Sequence, residues 1–218
     1  MPAPKDCYLT PRQVCVVTGL VSSSTVQTPT AATRRHLTDR QARTVHRLTE
    51  AAVAELIESG YAGLTVRSVA RRAGVAPATA YTYFGSKEHL VAEVFWRRFE
   101  GQEPRALDPH RSPAERATDV LLDFALVVAD ETEVAAAVTV AMLADDAEVR
   151  DLRSRIGLLL HRRLTSALGD EVAPAAVTTL ELAISGALLQ VGTGHLAYDA
   201  LPGLLTDVAE LVVGGTRP

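Results

Sequence analysis

Residues 65–90, TVRSVARRAGVAPATAYTYFGSKEHL, gather hydroxyls, tyrosines and a lysine at spacings suited to gripping phosphates and meeting base edges. Lys87 stands one residue after Ser86, where a helix start offers free N–H groups beside an ammonium, and both can converge on one phosphate. Tyr83 can donate its hydroxyl to a second phosphate, or serve as a core aromatic with its hydroxyl at the rim. Thr65 and Arg67 can flank the same groove, and Lys87 has the alternative of being simply a solvated lysine. Ala76, Ala78, Thr79 and Tyr81 can meet thymine methyls or, through a hydroxyl, make one hydrogen bond each, and Pro77 and Thr82 are DNA-binding candidates beside them. None offers the bidentate fork of arginine on guanine, so apolar contacts and DNA shape are expected to carry part of any specificity.

These side chains need two short helices and a tight turn to hold them. Thr65 suits an N-cap, and Val66, Val69, Ala70 and Ala73 make one apolar stripe behind it. Gly74 falls where the chain must reverse with positive φ, and Pro77 suits the first turn of a second helix to Phe84. Val69, Ala70, Ala73, Val75, Ala80 and Phe84 read as the core joining the pair. Such a helix–turn–helix lays its second helix in the DNA major groove. Upstream, Thr38–Gln41 forms a capping box for a helix from Asp39 to Gly60, with Val45, Leu48, Ala52 and Leu56 on one face and Val53 and Ile57 beside them. Ser86 caps a helix over 87–100 in which Leu90, Val94 and Phe95 or Trp96 turn inward.

This segment resembles the DNA-binding domain of the tetracycline-repressor-type (TetR) family of transcriptional regulators. The matching residues are Gly60–Tyr61, Thr65–Val66–Arg67, Val69–Ala70 with Ala73–Gly74–Val75, and the run from Tyr81 to Leu90. The likeness spans about 65 residues, from Arg34 to Phe99. It departs at Pro77–Ala80, where relatives more often carry a basic residue, a glycine and a leucine, leaving this reading face free of charge. The resemblance implies that Lys87, Tyr83 and the Thr65 region meet phosphates and that the protein binds a double-stranded operator as a homodimer. It further implies a C-terminal domain holding a small-molecule effector, with repression the commoner mode.

Charge supports one phosphate-facing end. Residues 1–105 hold 14 Lys and Arg against 9 Asp and Glu, whereas residues 106–218 hold 8 against 17. The expected architecture is all-α: an N-terminal three-helix DNA-binding domain followed by a helical ligand-binding and dimerisation domain. The expected divisions are a disordered arm over 1–33, a DNA-binding domain over 34–100, a linker over 101–113 and a helical domain over 114–218. In the last of these, segments over 114–129, 131–144, 145–168 (capped by Asp145), 174–196 and 201–213 all read as helices. Leu180, Ala183, Ile184, Ala187, Leu188 and Val191, facing Leu204, Leu205, Val208, Leu211 and Val212, are the candidate pairing surface; internal core is the alternative. Thr139, Met142, His161, Gln190, His195 and Tyr198 are the candidate effector contacts, and the leucine- and alanine-rich surroundings suggest an apolar or amphiphilic effector.

Other chemistries find little support. No G-x-S-x-G, H-E-x-x-H or P-loop occurs, and Gly192–Thr193–Gly194 follows no strand. No enzyme, metal or cofactor is expected. Cys7 and Cys15 lie outside any ligand spacing and read as reduced thiols. Val14–Val21 makes a poor signal peptide, no apolar run approaches the roughly 20 residues of a bilayer span, and a cytoplasmic protein is expected. The rival reading is a helical dimeric interaction or ligand-sensing module without operator binding, suggested by the uncharged recognition face.

Overall fold

The computed structural model describes residues 39–106, 108–170 and 172–215. The arm over 1–33, both cysteines and Thr38 of the expected capping box lie outside them. Among the described residues every regular element is helical, as expected: α1 Asp39–Gly63, α2 Val66–Arg72, α3 Pro77–Tyr83, α4 Lys87–Gly101, α5 Pro113–Ala125, α6 Thr132–Met142, α7 Ala147–Leu168, α8 Pro174–Gly192 and α9 Leu201–Gly214. Single 3-10 turns follow α5 (Leu126–Val128) and precede α9 (Tyr198–Ala200).

Local sequence sets the boundaries. The φ of Gly60, +64°, breaks α1 there, and one more turn carries the element to Gly63. Thr65 caps α2 in a reciprocal box with Ser68. The helix stops in a Schellman arrangement, with Gly74 at φ +61° and the Val75 N–H donating to the Ala70 carbonyl at 2.9 Å. The same motif ends α8. Gly194 takes φ +76° while the His195 N–H donates to the Gln190 carbonyl at 2.9 Å, so the helix closes at Gly192 and not at the expected Leu196. At α7 the cap is Asp146, one residue past the expected Asp145. Its Oδ1 accepts from the N–H groups of Glu148 and Val149, while Asp145 pairs with Arg150.

The core is continuous. Leu48, Leu56, Leu64, Val69 and Ala80 are buried under α1–α3. Phe95 stacks on Phe99 in α4, and Phe124 of α5 meets both rings edge-to-face, its centroid 4.8 Å from that of Phe99. Each such side chain, fully buried, contributes about 1.5–3 kcal/mol. Helix α4 packs on α6 and α7, α5 lies against α7 and α9, and α8 lies between α7 and α9. Two expectations fail on packing. Ile57 lies off the buried stripe of α1 and is 53% exposed. Helix α8 is long and apolar enough by length and composition to cross a bilayer, against the expectation that no segment is. Here one side of it, Ala176, Val177, Leu180, Ile184 and Ala187, is taken up by the core, and Glu181, Ser185 and Gln190 interrupt the rest.

Candidate nucleic-acid interface and effector cavity

Helix α3 has seven residues and buries a single side chain, Ala80. Phe84, which caps it, is also buried, so these two hold the helix while Pro77, Ala78, Thr79, Tyr81 and Thr82 stay exposed, as does Ala76 just before it. Tyr83 is half-buried and packs on the core with its ring. Thr65 and Arg67 are exposed at the start of α2, and no ion-pair partner for Arg67 is found among the described residues. The turn between α2 and α3 is pinned from behind, because Arg47 of α1 donates to the Ala73 and Gly74 carbonyls. Arg72 of α2 pairs with Glu55 and Glu58 of α1.

Lys87 is more engaged than the sequence suggests. Its Nζ donates to the Tyr61 carbonyl at 3.0 Å and sits 4.1 Å from the centre of the Tyr61 ring. The Tyr61 hydroxyl donates to Glu88 Oε1 at 2.8 Å. Burial, and then this carboxylate, push the Tyr61 phenol well above its ordinary range, so it stays a donor.

Behind this face a second arrangement joins α4 to α7. Ser86 Oγ accepts from the His89 N–H at 3.0 Å and donates to Asp146 Oδ2 at 2.7 Å, so the caps of the two helices share a hydrogen bond. That bond, above all, holds the Asp146 carboxyl below the usual range. His89 packs edge-on to Phe84 at 5.3 Å, and burial lowers its pKa despite the nearby Glu93, Glu148 and Asp146. The serine was legible as a helix cap; its partner sixty residues away was not.

Between α4, α5, α6, α7 and α8 lies a cavity of about 670 Å³. Phe95, Phe124, Val128, Ile156, Leu160 and Leu188 make an apolar wall, and Gly157 leaves room in α7. Of the candidate contacts, Thr139, Met142, His161 and Tyr198 line it, whereas Gln190 and His195 are outside the lining. His195 Nδ1 instead meets the Thr193 hydroxyl at 3.0 Å, and Gln190 is occupied through its carbonyl in closing α8. His161 Nδ1 meets Glu181 Oε1 at 3.0 Å, the Thr139 and Ser185 hydroxyls serve their own helices, and Arg153 holds the carbonyls of Met142 and Ala144. Tyr198 is half-buried, with its phenol pKa raised by burial. Among the described residues no cluster of potential metal ligands occurs.

The expected pairing surface is divided. Leu180, Ile184, Ala187 and Leu205 are buried within the chain itself, while Leu204 and Leu211 (76% exposed) remain open; outside the expected set, Leu182 (70% exposed) and Leu189 are open as well.

Residues 48–94 match the family model described as bacterial regulatory proteins, tetR family. An uncharacterized HTH-type transcriptional regulator from Mycobacterium tuberculosis is 47% identical over 180 residues, covering 82% of this chain and 84% of the relative. The HTH-type transcriptional repressor KstR from Rhodococcus jostii is 30% identical, covering 86% of this chain and 87% of its own. Among solved structures, a TetR transcriptional regulator from Rhodococcus sp. RHA1 superposes with a TM-score of 0.66 at 23% identity, over 78% of this chain and 97% of that one. The Bacillus subtilis regulator FadR, crystallised with stearoyl-CoA, superposes with a TM-score of 0.54 at 21% identity, over 78% and 98%. With an exposed helix α3 on a helix–turn–helix, and with relatives of this identity and coverage, the chain belongs to the tetR family of bacterial regulatory proteins and is a DNA-binding transcriptional regulator.

Proposed function

We propose that the protein is a homodimeric, ligand-responsive repressor that grips a palindromic operator through two copies of α3. The observation that carries the reading is the exposure of α3 beside the α4 start, with only Ala80 and the capping Phe84 fully buried and Tyr83 half-buried against the core. Residues 34–100 would form the DNA head and 114–218 the effector and pairing domain, joined by 101–113. Phosphates would be held by Lys87, Tyr83, Thr65 and Arg67, and bases met by Ala76, Pro77, Ala78, Thr79, Tyr81 and Thr82. One such helix covers too little surface for tight binding, so a second copy is required, and the open leucines of α8 and α9 suit pairing.

The effector would occupy the 670 Å³ cavity, whose lining favours an apolar or amphiphilic molecule with few polar anchors. Such a ligand acts only if it binds the geometry that does not fit DNA more tightly than the one that does. The Ser86–Asp146 bond offers a physical link, because Asp146 follows the cavity residues Met142 and Leu143 by a few positions. A regulator of this kind works in the cytoplasm and has no catalytic step.

The test is selection of bound sequences from a random duplex pool with the purified protein. A palindrome with half-sites about one helical turn apart supports the reading. Recovery of no motif at low salt moves the protein to the rival class, a helical interaction or ligand-sensing module without an operator. Thr79→Ala is expected to change which bases are selected at one position of each half-site; a uniform loss across all sequences would remove Thr79 from the reading set.

A further inference from the structure

We infer that Tyr61, at the far end of α1, is the positioning residue that readies Lys87 for a DNA phosphate. This rests on the proposed operator reading. Gly60, at φ +64° and ψ 177°, breaks α1 one residue before Tyr61 and redirects the last turn toward the start of α4. A helix end leaves carbonyls without partners, and Lys87 supplies the donor at 3.0 Å. The aromatic ring, 4.1 Å from the ammonium, then holds the cation from a second side.

Both contacts are with neutral groups. A lysine held by a carboxylate arrives at DNA already neutralised; a lysine held by a ring and a carbonyl keeps its full charge. An ammonium has three N–H donors, and the carbonyl takes one. A rival for this charge is Glu88, the next residue in the chain. The Tyr61 hydroxyl occupies Glu88 Oε1 at 2.8 Å, and among the described residues no ion pair joins Glu88 to Lys87. Tyr61 therefore does two things with one side chain: its face and backbone fix the cation, and its hydroxyl engages the neighbouring anion. Phenylalanine could do the first alone and leucine neither through its side chain.

The test is a double-mutant cycle on the intact chain, with binding to the selected operator and to an unrelated duplex followed across a salt series. Lys87→Ala is expected to weaken both duplexes alike and to lower the salt slope by about one ion. Tyr61→Leu is expected to weaken both roughly two- to fivefold, the worth of a partly exposed cation–π contact. In the Lys87→Ala background the same change has no further effect. Tyr61→Phe loses less, and Glu88→Gln restores it by more than the same change strengthens binding of the parent chain, an outcome that a merely structural role of Tyr61 would not produce. Thermal midpoints and Trp96 fluorescence check folding, and Tyr61→Phe keeps the ring should Tyr61→Leu unfold. Equal losses in both backgrounds, or no rescue by Glu88→Gln, overturn the inference while leaving the operator reading intact. Failure of the unmodified chain to bind any duplex overturns the operator reading, and this inference with it.

Discussion

Helix α3 and the cavity wall of α7 put their side chains to opposite ends: α3 offers Pro, Ala, Thr and Tyr to the outside, and α7 lines the cavity with Ile156, Gly157, Leu158 and Leu160. Helix α3 has seven residues, exposes Ala78, Thr79 and Tyr81, and is anchored through Ala80 with Phe84 behind it. Helix α7 has 22 residues, buries Val149, Leu152, Ile156, Leu160 and Leu164, and still leaves space beside Gly157. A surface that must meet another molecule through its side chains can vary them without unfolding the chain. A wall that must enclose a ligand is fixed by its neighbours and varies only where a void already exists. The two regions should therefore answer substitution differently, in stability on one side and in recognition on the other.

The sharpest contrast falls on Gly192, where α8 crosses α6. A Cβ there would lie 2.3 Å from Thr139 Cγ2, 2.4 Å from Oγ1 and 2.7 Å from Cβ, and a β-branched residue in a helix has little freedom to turn away. Gly192→Ala is expected to cost about 1–3 kcal/mol in urea unfolding, the usual penalty of overpacking. Thr139→Ala in the same chain should recover part of it by removing the two nearest atoms. Thr79→Ala on α3 should stay within about 0.5 kcal/mol of the parent. A neutral Gly192→Ala would mean that the α6–α8 contact behind the cavity residue Thr139 has slack, and the contrast would be lost there.

The same difference explains what the sequence discloses. The head was legible because its information is local: Thr65, Gly74, Pro77 and Ser86 each set a cap or turn by their own chemistry within a few residues. The all-α fold and most helix boundaries followed from the same signals. The cavity is assembled from five helices far apart in the chain, so a polar residue in an apolar helix gave little clue to where it points. Thr139, Met142, His161 and Tyr198 reach the cavity, while Gln190 and His195 lie outside its lining, at a helix end that the left-handed Gly194 brings forward. Ile57 and the buried Leu180 and Leu205 misled for a related reason, since periodicity marks an apolar stripe without saying which neighbour covers it. Tyr61 was visible as part of a motif, but its grip on Lys87 depends on how α1 ends against α4.

Between the two regions stands His89, and acid should find it. Its pKa is lowered by burial, so below the ordinary histidine value of about 6.5 the unfolded chain takes up a proton that the folded chain resists. The contribution is present above that pH and is lost as pH falls toward the folded value, with a slope of at most about 1.4 kcal/mol per pH unit. Trp96, the single tryptophan, is buried with the Arg155 guanidinium of α7 4.4 Å from its ring centre, and so reports the α4–α7 contact. Urea midpoints read by Trp96 should fall on acidification from neutral pH, and His89→Gln should flatten that fall. An unchanged slope in His89→Gln between neutral pH and about pH 5 would remove His89 as the source, since the loss from Asp146, whose pKa is depressed, comes only below about pH 4.

The smallest effect carries the opposite sign. Gly157 lies mid-helix in α7, lines the cavity, and a Cβ there would meet nothing within 4 Å. Glycine in a helix interior is destabilising by about 0.5–1 kcal/mol relative to alanine, so Gly157→Ala should stabilise the protein by that amount. A larger residue turns the same gap against function. Gly157→Leu should keep the chain folded while filling part of the cavity, and it should reduce uptake of a fluorescent fatty acid without changing affinity for DNA in the absence of that probe. If Gly157→Leu instead unfolds the protein, the wall of α7 is already close-packed. If it leaves probe uptake unchanged, the space beside Gly157 is not where an apolar molecule is held, and the contrast with α3 would then rest on packing at Gly192 alone.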